Sequence, residues 1–548
     1  MTNEDSMHAE HVIAEDVQPL SLDTADQNSD QMNEEQVVAD QITAIPSPAF
    51  KKKKQPISKK HLKDRWKNFL SQDKDGILHV EGISVKDLDT KFGAPLYILV
   101  ERELRERLRT FKNAFPYTNF RPQFACKVNS NLSIIKIAKE EGFDLDASSV
   151  GEIILGLLAD YEPQQITFTN LYKTYQDIAF AAMIGVQAIT TDSMEELKKI
   201  SLVGKNLDLR IKIFLRINPL IKLGAYTTLK QEYGIPITQA REAIEFATSD
   251  KNIEVVGFHF HGSYIVNPEV YCIAANRLLK LAEYATSLGA HIKYLDLGGG
   301  FPTHDNSQPK YGRSYNLQKA GVSIIRSLRK ALQKYNFPEL TLIFEPGKYI
   351  VSNAFIGLVK VVSTKKVAKE NIVITNGSVY NMIADRFISN CQYEILPASK
   401  LTKPIIKKYT LFGSTCDCID VMARNRWLPK LEEGDLLTIM DCGAYSVVFA
   451  SNFNSLKRVP IILVQENGSA KLIRRRDRYA EMFAPELDVL KVADPNELKY
   501  FYNLHRINFE KIWGEHLTPE MREKKLQKPL QAILSHIYRG KQNVDPGV

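Results

Sequence analysis

Short apolar runs alternate with amphipathic segments between residues 93 and 345. The run GAPLYILV at 93–100 has the apolar and β-branched character of a buried strand. Eight further strand candidates follow: RPQFACK, FDLDAS, QQITFTN, VQAITTD, LRIKIFLRINP, IEVVGFHFH, IKYLDLGGG and LTLIFEPG. Segments with helical spacing separate them, such as IIKIAKEE and MEELKKI. Eight strands separated by helices predict an α/β fold built on a parallel (β/α)8 barrel, although a doubly wound open sheet has the same periodicity.

The pattern changes after residue 350. IGLVKVVSTKKVA, NIVITNG, DLLTIMDCGAYSVV and RVPIILVQ have strand character, and few helical segments lie between them. A second, mainly β domain is therefore expected. The predicted limits are 90–347 for the barrel, 348–485 for the β domain and 486–548 for a charged, helical C-terminal extension.

The two ends of the chain and its composition limit the classes of partner. Residues 1–50 contain many acidic residues and no Lys or Arg, and the basic run 51–54 follows, so residues 1–60 are predicted to be a disordered tail. A flexible linker explains the basic run better than a contact with nucleic acid or membrane. No apolar run is long enough to span a bilayer, and the N-terminus lacks a secretory signal. We expect a cytoplasmic protein.

Six cysteines in 548 residues do not indicate a disulfide framework. Cys416 and Cys418 are close in sequence, but no second cysteine pair or histidine cluster completes a zinc site. No metal is expected.

Candidate chemistry lies at the ends of several predicted strands, where a barrel places its active site. Lys127 follows the apolar run of FACK directly. A lysine there is expected to be partly desolvated, which favours the neutral amine that a Schiff base requires. A surface lysine is the alternative.

A glycine run and a carboxylate follow two later strands. Gly298, Gly299 and Gly300 would allow main-chain N–H groups to cradle a phosphate, although a tight turn is the simpler interpretation. Glu345, in FEPGK, could hold the nitrogen of an aromatic cofactor in its protonated form.

HFHGS supplies His259, His261 and Ser263 after another strand. The His-x-His pattern suggests a metal, but the sequence offers no third ligand at matching spacing. One histidine could stack on a flat cofactor and Ser263 could bind phosphate. A core histidine is the alternative.

Taken in order, these motifs resemble a known family. FACKVN, FDLDASSVGE, LRINP, GFHFHGS, LDLGGGFP, FEPGK, GSTCDCID and DCGAYS occur as in the fold-type III pyridoxal-phosphate-dependent decarboxylases that act on diaminopimelate, ornithine and arginine. The resemblance covers residues 90–480, and GAPLYIL and KLIRRRDRYAEMF resemble the diaminopimelate decarboxylases most.

The resemblance implies a role for each matching residue. Lys127 would carry pyridoxal 5'-phosphate as a Schiff base, and Asp146 and Arg216 would lie near it. The ring would stack on His261 and pair through its nitrogen with Glu345. The residues implied for the phosphate are Gly298, Gly299, Gly300, Ser263 and Tyr445. Cys416 would reach in from the partner subunit of a homodimer with shared active sites and donate a proton to the product.

The substrate-binding positions depart from the diaminopimelate pattern. Lys348, Arg386 and Asp417 are the expected substrate-binding residues, but the family usually has Arg in place of Lys348 and Glu in place of Asp417. Asp417 and Phe453 resemble ornithine decarboxylases instead. The expected reaction is decarboxylation of meso-diaminopimelate to L-lysine, with ornithine, lysine or arginine as alternative substrates.

Two further functions fit this fold. One is a racemase, whose catalytic tyrosine pattern is not seen in the second half of the chain. The other is a non-catalytic relative that binds partners, which the presence of Lys127, Glu345 and Cys416 disfavours.

Overall fold

A computed structural model describes residues 62–303, 315–389 and 392–486. The predicted tail 1–60 and nearly all of the predicted extension 486–548 lie outside the described residues. Among the described helices, none is both long enough and apolar enough to cross a membrane.

All eight predicted barrel strands are present, and each pairs in parallel with the next one along the chain. They are Gln123–Ala125, Asp144–Ala147, Ile166–Thr169, Ala188–Thr191, Ile211–Asn218, Ile253–His259, Tyr294–Asp296 and Thr341–Ile343. Backbone N–H groups of Arg121 and Gln123 donate to the carbonyl oxygens of Leu342 and Phe344 at 2.9 and 2.8 Å. These bonds join the first strand to the last, so the sheet closes into the predicted parallel (β/α)8 barrel and is not an open sheet.

Helices cover the outside of the barrel and connect its strands. Those between the barrel strands are Leu132–Glu140, Val150–Leu158, Tyr175–Ile184, Met194–Leu207, Ala240–Ser249, Glu269–Ser287 and Leu317–Lys334. Ser149 and Ser193 cap two of them by accepting the backbone N–H of Glu152 and Glu196, which fixes where the chain leaves the strand and starts the helix. Their buried apolar side chains form one continuous core with the outer surface of the strands.

The second domain is the predicted β domain, a sheet of nine strands. They are Leu96–Val100, Phe355–Val367, Glu370–Thr375, Ile395–Leu396, Lys407–Phe412, Val421–Leu428, Leu436–Met440, Ile461–Val464 and Ala470–Arg474. Leu96–Val100 is the predicted strand GAPLYILV, but it pairs with Phe355–Val367 and Ile461–Val464 and not with the barrel. The predicted barrel range 90–347 therefore includes a strand of the other sheet. The helix Glu101–Asn113 leads from that strand to the barrel.

Smaller elements complete the described chain. A three-stranded antiparallel sheet comprises Leu70–Gln72, Leu78–Val80 and Ile83–Ser84, and the helix Val85–Phe92 follows it. After the fifth barrel strand, Lys222–Leu223 and Tyr226–Thr227 form a hairpin, and Ile235–Pro236 pairs with that barrel strand. Short helices at Lys348–Val351, Val379–Met382, Asp385–Ser389 and Tyr479–Met482, and 3-10 turns at Asp64–Trp66, Cys126–Val128, Pro163–Gln165 and Phe453–Ser455, lie in the connections.

Candidate active site

A cavity of about 200 Å³ lies at the carboxyl ends of the barrel strands, where the β domain meets the barrel. Seven predicted site residues line it: Lys127, His261, Ser263, Gly300, Glu345, Lys348 and Tyr445. Tyr264, Asp385 and Phe449 also line it and were not predicted. The closure of the barrel explains the convergence, because strands distant in sequence end at one rim.

Lys127 lies in the turn Cys126–Val128, directly after the first barrel strand. Its Nζ is 3.3 Å from Oδ2 of Asp146, which is fully buried on the next strand. Burial alone would lower the pKa of Lys127, but the negative charges of Asp146 and Glu345 outweigh it and raise that pKa. Desolvation thus acts in the expected direction, towards the neutral amine, but the two carboxylates reverse its effect on the pKa of Lys127.

Glu345 joins the two histidines of the HFHGS motif. Its Oε1 is 3.1 Å from His259 Nε2 and its Oε2 is 3.0 Å from His261 Nδ1. Burial acts to raise the pKa of Glu345, but the contacts with His259 and His261 hold it well below its ordinary value. Burial lowers the pKa of His261 to about 4. The site therefore contains a carboxylate anion between two neutral imidazoles.

His259 and His261 differ in exposure. His259 is fully buried, whereas His261 lines the cavity and its side chain is 19% exposed. The ligand atoms of these histidines and Glu345 lie within 4.8 Å of one another, a spacing that would suit a metal ion. The two hydrogen bonds to Glu345 explain that spacing without a metal.

Asp296 is a buried residue that the sequence analysis missed. It ends the seventh barrel strand, and its Oδ1 accepts the backbone N–H of Gly298 at 2.8 Å. Burial and the nearby Glu345 charge raise the pKa of Asp296 well above its ordinary value. Its Oδ2, like Oδ1 of Asp146, has no hydrogen-bond partner among the described residues. Asp296 stands in the motif LDLGGG, but the prediction for that motif concerned only the three glycines and the phosphate they could bind.

The glycine run makes a turn that side chains would block. A Cβ on Gly298 would lie 2.4 Å from the carbonyl oxygen of Phe260, and one on Gly299 would lie 2.5 Å from that of Glu345. Gly300 has φ +92°, and its Cβ would lie 2.4 Å from the carbonyl oxygen of Gly262. The turn can therefore pack this closely against the neighbouring backbone only because these residues are glycine.

The GAY motif reaches the same cavity from the β domain. The backbone N–H of Tyr445 donates to the carbonyl oxygen of Val128 at 3.0 Å, one residue beyond Lys127. The Tyr445 ring stacks on Phe449, with ring centroids 5.5 Å apart. Burial raises the pKa of Tyr445, so its hydroxyl stays protonated and able to donate.

Arg216 lies in the fifth barrel strand, two residues before its end, and does not line the cavity. Its guanidinium is 3.2 Å from Oδ1 of Asp192, and the ring of Tyr233 lies 4.9 Å from its Cζ. Its positive charge adds to the effect of burial in lowering the pKa of His261.

Lys348 and Asp385 add one charge of each sign to the lining of the cavity. Lys348 Nζ is 3.9 Å from Oδ2 of Asp385, which is 3% exposed. Arg386 is the next residue of the helix Asp385–Ser389, but it does not line the cavity. Asp385 was not predicted because it lies outside the motifs shared with the family. A single acidic residue there does not by itself indicate a binding site.

Cys416 and Asp417 do not line the cavity of their own chain. The Cys416 side chain is exposed, and Asn454 Nδ2 lies 3.4 Å from its Sγ. The Asp417 carboxylate accepts a hydrogen bond from the Tyr380 hydroxyl, which lowers the pKa of Asp417. The Tyr380 ring stacks on Phe453, with centroids 4.4 Å apart.

The cavity fits pyridoxal phosphate by the chemistry of its donors. It combines an amine, an anionic carboxylate beside an imidazole, a glycine turn and the hydroxyls of Ser263 and Tyr445. The amine matches the aldehyde of the cofactor and the carboxylate matches its ring nitrogen. The glycine turn and the two hydroxyls match its phosphate.

Comparisons with known proteins agree with this chemistry. The family described as "Pyridoxal-dependent decarboxylase, pyridoxal binding domain" matches residues 101–352, and "Pyridoxal-dependent decarboxylase, C-terminal sheet domain" matches residues 272–443. The diaminopimelate decarboxylase of Methanothermobacter thermautotrophicus is 30% identical over 74% of this chain and 95% of its own length. That of Aquifex aeolicus is 29% identical over 76% and 97%.

Solved structures show the same relationship. The diaminopimelate decarboxylase of M. jannaschii in complex with L-lysine has 26% sequence identity and a TM-score of 0.69, covering 76% of this chain and 97% of that one. The chain therefore belongs to the pyridoxal-dependent decarboxylases, carboxy-lyases that act on amino acids with pyridoxal phosphate as cofactor.

Proposed function

We propose that the chain decarboxylates meso-diaminopimelate, releasing carbon dioxide and L-lysine. The observation that carries this proposal is that one cavity is lined both by Lys127 and by the pair Lys348 and Asp385. The names and structures of the relatives support the same substrate.

The distal end of meso-diaminopimelate carries one ammonium and one carboxylate. Asp385 would pair with the ammonium and Lys348 with the carboxylate. Asp385 would thus exchange the Lys348 cation for a substrate cation, and Lys348 would exchange the Asp385 anion for a substrate anion. Because both side chains are largely buried, leaving either charge unpaired costs several kcal/mol. Arg386, beside Asp385, would add a second cation for the carboxylate.

Lys127 would hold the cofactor, which supplies an electron sink for the pair left behind by the departing carboxylate. The amine must lose its proton before it can act as a nucleophile. The nearest base is Asp146, 3.3 Å from Nζ, and burial raises the pKa of its carboxyl group above the ordinary value. Asp146 is therefore the titratable group placed to exchange this proton, and its negative charge is also what holds the proton on Lys127.

Glu345 and His261 would orient the ring. Glu345 stays anionic beside neutral imidazoles and would hold a proton on the ring nitrogen. His261, not His259, would stack on the ring, because His261 lines the cavity while His259 is fully buried. The turn at 298–300, Ser263 and Tyr445 would bind the phosphate.

Cys416 would act across a homodimer interface. Cys416 and Asp417 do not line their own cavity. Exposed apolar side chains lie near them: Ile419 in sequence, and Phe387 and Phe453, whose rings contact that of Tyr380, the hydrogen-bond partner of Asp417. Such a surface fits an interface with a second copy. Cys416 of the partner subunit would then donate the proton to the α-carbon from its Sγ, and Asp417 of the partner subunit would face the distal ammonium.

A second candidate is a diamine-forming decarboxylase that acts on ornithine or lysine. Asp385 and Asp417 both favour a distal ammonium, and Phe453 resembles the ornithine type. Such a substrate would leave Lys348 without a carboxylate partner.

The test is carbon dioxide release, comparing kcat/KM for meso-diaminopimelate, ornithine and lysine. We expect meso-diaminopimelate to be preferred by at least about 10²-fold, because unpaired buried polar groups discriminate strongly. Lys348→Ala and Arg386→Ala should lower kcat/KM for meso-diaminopimelate and should not lower that for ornithine. An ornithine or lysine value equal to or above that of meso-diaminopimelate would reject the proposed substrate.

The cytoplasmic location stays a prediction.

A further inference from the structure

The described barrel contains a buried lysine that the proposed mechanism does not use. The Lys173 side chain is fully buried, and it follows the third barrel strand. Its Nζ donates to the carbonyl oxygens of Asn170 and Thr190 at 2.7 and 2.8 Å and to Oε1 of Glu196 at 2.7 Å. All three donors of the ammonium are therefore occupied.

The same network continues towards the active site. The other oxygen of Glu196 accepts the backbone N–H of Asp192 at 2.7 Å. The Asp192 carboxylate in turn pairs with Arg216 at 3.2 Å and accepts the backbone N–H of Gly234 at 3.1 Å. The network thus links residues at or near the ends of the third, fourth and fifth barrel strands. Its last member, Arg216, lies in register with His259 on the sixth strand, and its charge acts on Lys127 and His261.

Burying these charges needs a reason other than stability. Removing a charged pair from water is costly, and apolar residues of similar size often stabilise a protein as well or better. Arg216 is itself largely buried, with a side-chain exposure of 7%, and Asp192 is the anion that pairs with it. The guanidinium therefore has one preferred position, set by the Asp192 carboxylate on one side and the Tyr233 ring on another.

We propose that Asp192 is a positioning residue that holds the Arg216 guanidinium at the cofactor site, with Glu196 and Lys173 fixing the backbone of Asp192. The inference rests on the proposed function and on the place of Arg216 near the cofactor that the family resemblance implies. It predicts that Asp192 affects cofactor binding through Arg216 and by no other route.

The test measures the dissociation constant of pyridoxal phosphate from the cofactor-free protein by absorbance. The variants are Asp192→Asn, Arg216→Gln and the double variant. Asp144→Asn is the matched control, because Asp144 is also a buried barrel aspartate, 2.6 Å from Arg121, but it lies at the amino end of its strand, away from the cavity. The melting temperature of each cofactor-free protein is measured alongside.

We expect Asp192→Asn and Arg216→Gln each to weaken cofactor binding by about tenfold or more, and the double variant to bind no more weakly than Arg216→Gln alone. Asp144→Asn should lower the melting temperature and leave the dissociation constant unchanged. Wild-type affinity in Asp192→Asn, or a double variant showing the product of the two single effects, would overturn the proposal. If Asp192→Asn does not fold, Asp192→Glu is compared with Arg216→Gln in the same cycle, since it keeps the charge but moves the carboxylate. Failure of the proposed substrate would leave all these results unchanged.

Discussion

At Lys127, burial and charge act on the pKa in opposite directions, and charge is the stronger. Asp146 and Glu345 raise the pKa of the ammonium although burial acts to lower it. Lys127 is therefore protonated at neutral pH, and the amine must lose this proton before it can bind the cofactor covalently.

Removing the Asp146 charge should make Lys127 reactive at lower pH. In Asp146→Asn, the pKa of Lys127 falls, so modification of Lys127 by an amine-reactive reagent should have its pH midpoint below that of the wild type. The measurement is labelling of the Lys127 peptide against pH in the cofactor-free protein, followed by mass spectrometry. Asp144→Asn serves as the control with an unchanged midpoint. An unchanged midpoint in Asp146→Asn would show that Asp146 does not set the charge of Lys127.

The residues of the site were predictable where a motif marked them and not elsewhere. Lys127 and Glu345 stand in motifs at strand ends, and both line the cavity. The charge state of Lys127 could not be predicted, because it depends on carboxylates from two other strands. Asp385 was missed because its place in the lining of the cavity depends on how the two domains pack.

The glycine turn can be tested by adding a methyl group at a position where φ is not the obstacle. In Gly299→Ala, the new Cβ would lie 2.5 Å from the carbonyl oxygen of Glu345, so the turn and Glu345 must shift. We expect a loss of about 1–3 kcal/mol in the free energy of unfolding, typical of overpacking, and weaker cofactor binding. Denaturant unfolding and absorbance titration measure the two effects.

Gly151→Ala is the matched control for that substitution. Gly151 lies in the helix Val150–Leu158, and its Cβ would meet only Ser149 Oγ at 3.6 Å. Alanine should therefore be neutral or stabilising there. If Gly299→Ala binds the cofactor as tightly as Gly151→Ala does, cofactor binding does not require the close packing of residue 299 against the Glu345 backbone.

The strands could be predicted from the sequence where both of their faces are buried, because they then form continuous apolar runs. All eight barrel strands are apolar runs, because helices cover the outside of the barrel and side chains fill its interior. In the β domain, Lys407–Phe412 and Val421–Leu428 were missed, since their exposed faces carry polar residues such as Lys408 and Arg424 that break the apolar run. The strand Leu96–Val100 was found, but its sheet was not, because its partners lie more than 250 residues later in the chain.

For the whole molecule, the shared site predicts complementation between two inactive variants. Lys127→Ala lacks the amine and Cys416→Ala lacks the proposed proton donor. In a mixed dimer, one site has both substitutions and the other has neither. Random exchange of subunits should therefore restore about a quarter of wild-type activity. The measurement is carbon dioxide release after mixing, with subunit exchange followed by native mass spectrometry. Exchange without any recovered activity would mean that each site is built from one chain.

The most direct test of the account is to find which lysine holds pyridoxal phosphate. The holoenzyme is reduced with borohydride, digested and mapped by mass spectrometry. The account predicts a phosphopyridoxyl group on Lys127, lost in Lys127→Ala and retained in Lys348→Ala, whose lysine lines the same cavity. A group on Lys348 or any other lysine, or the same yield of adduct in Lys127→Ala, would contradict it.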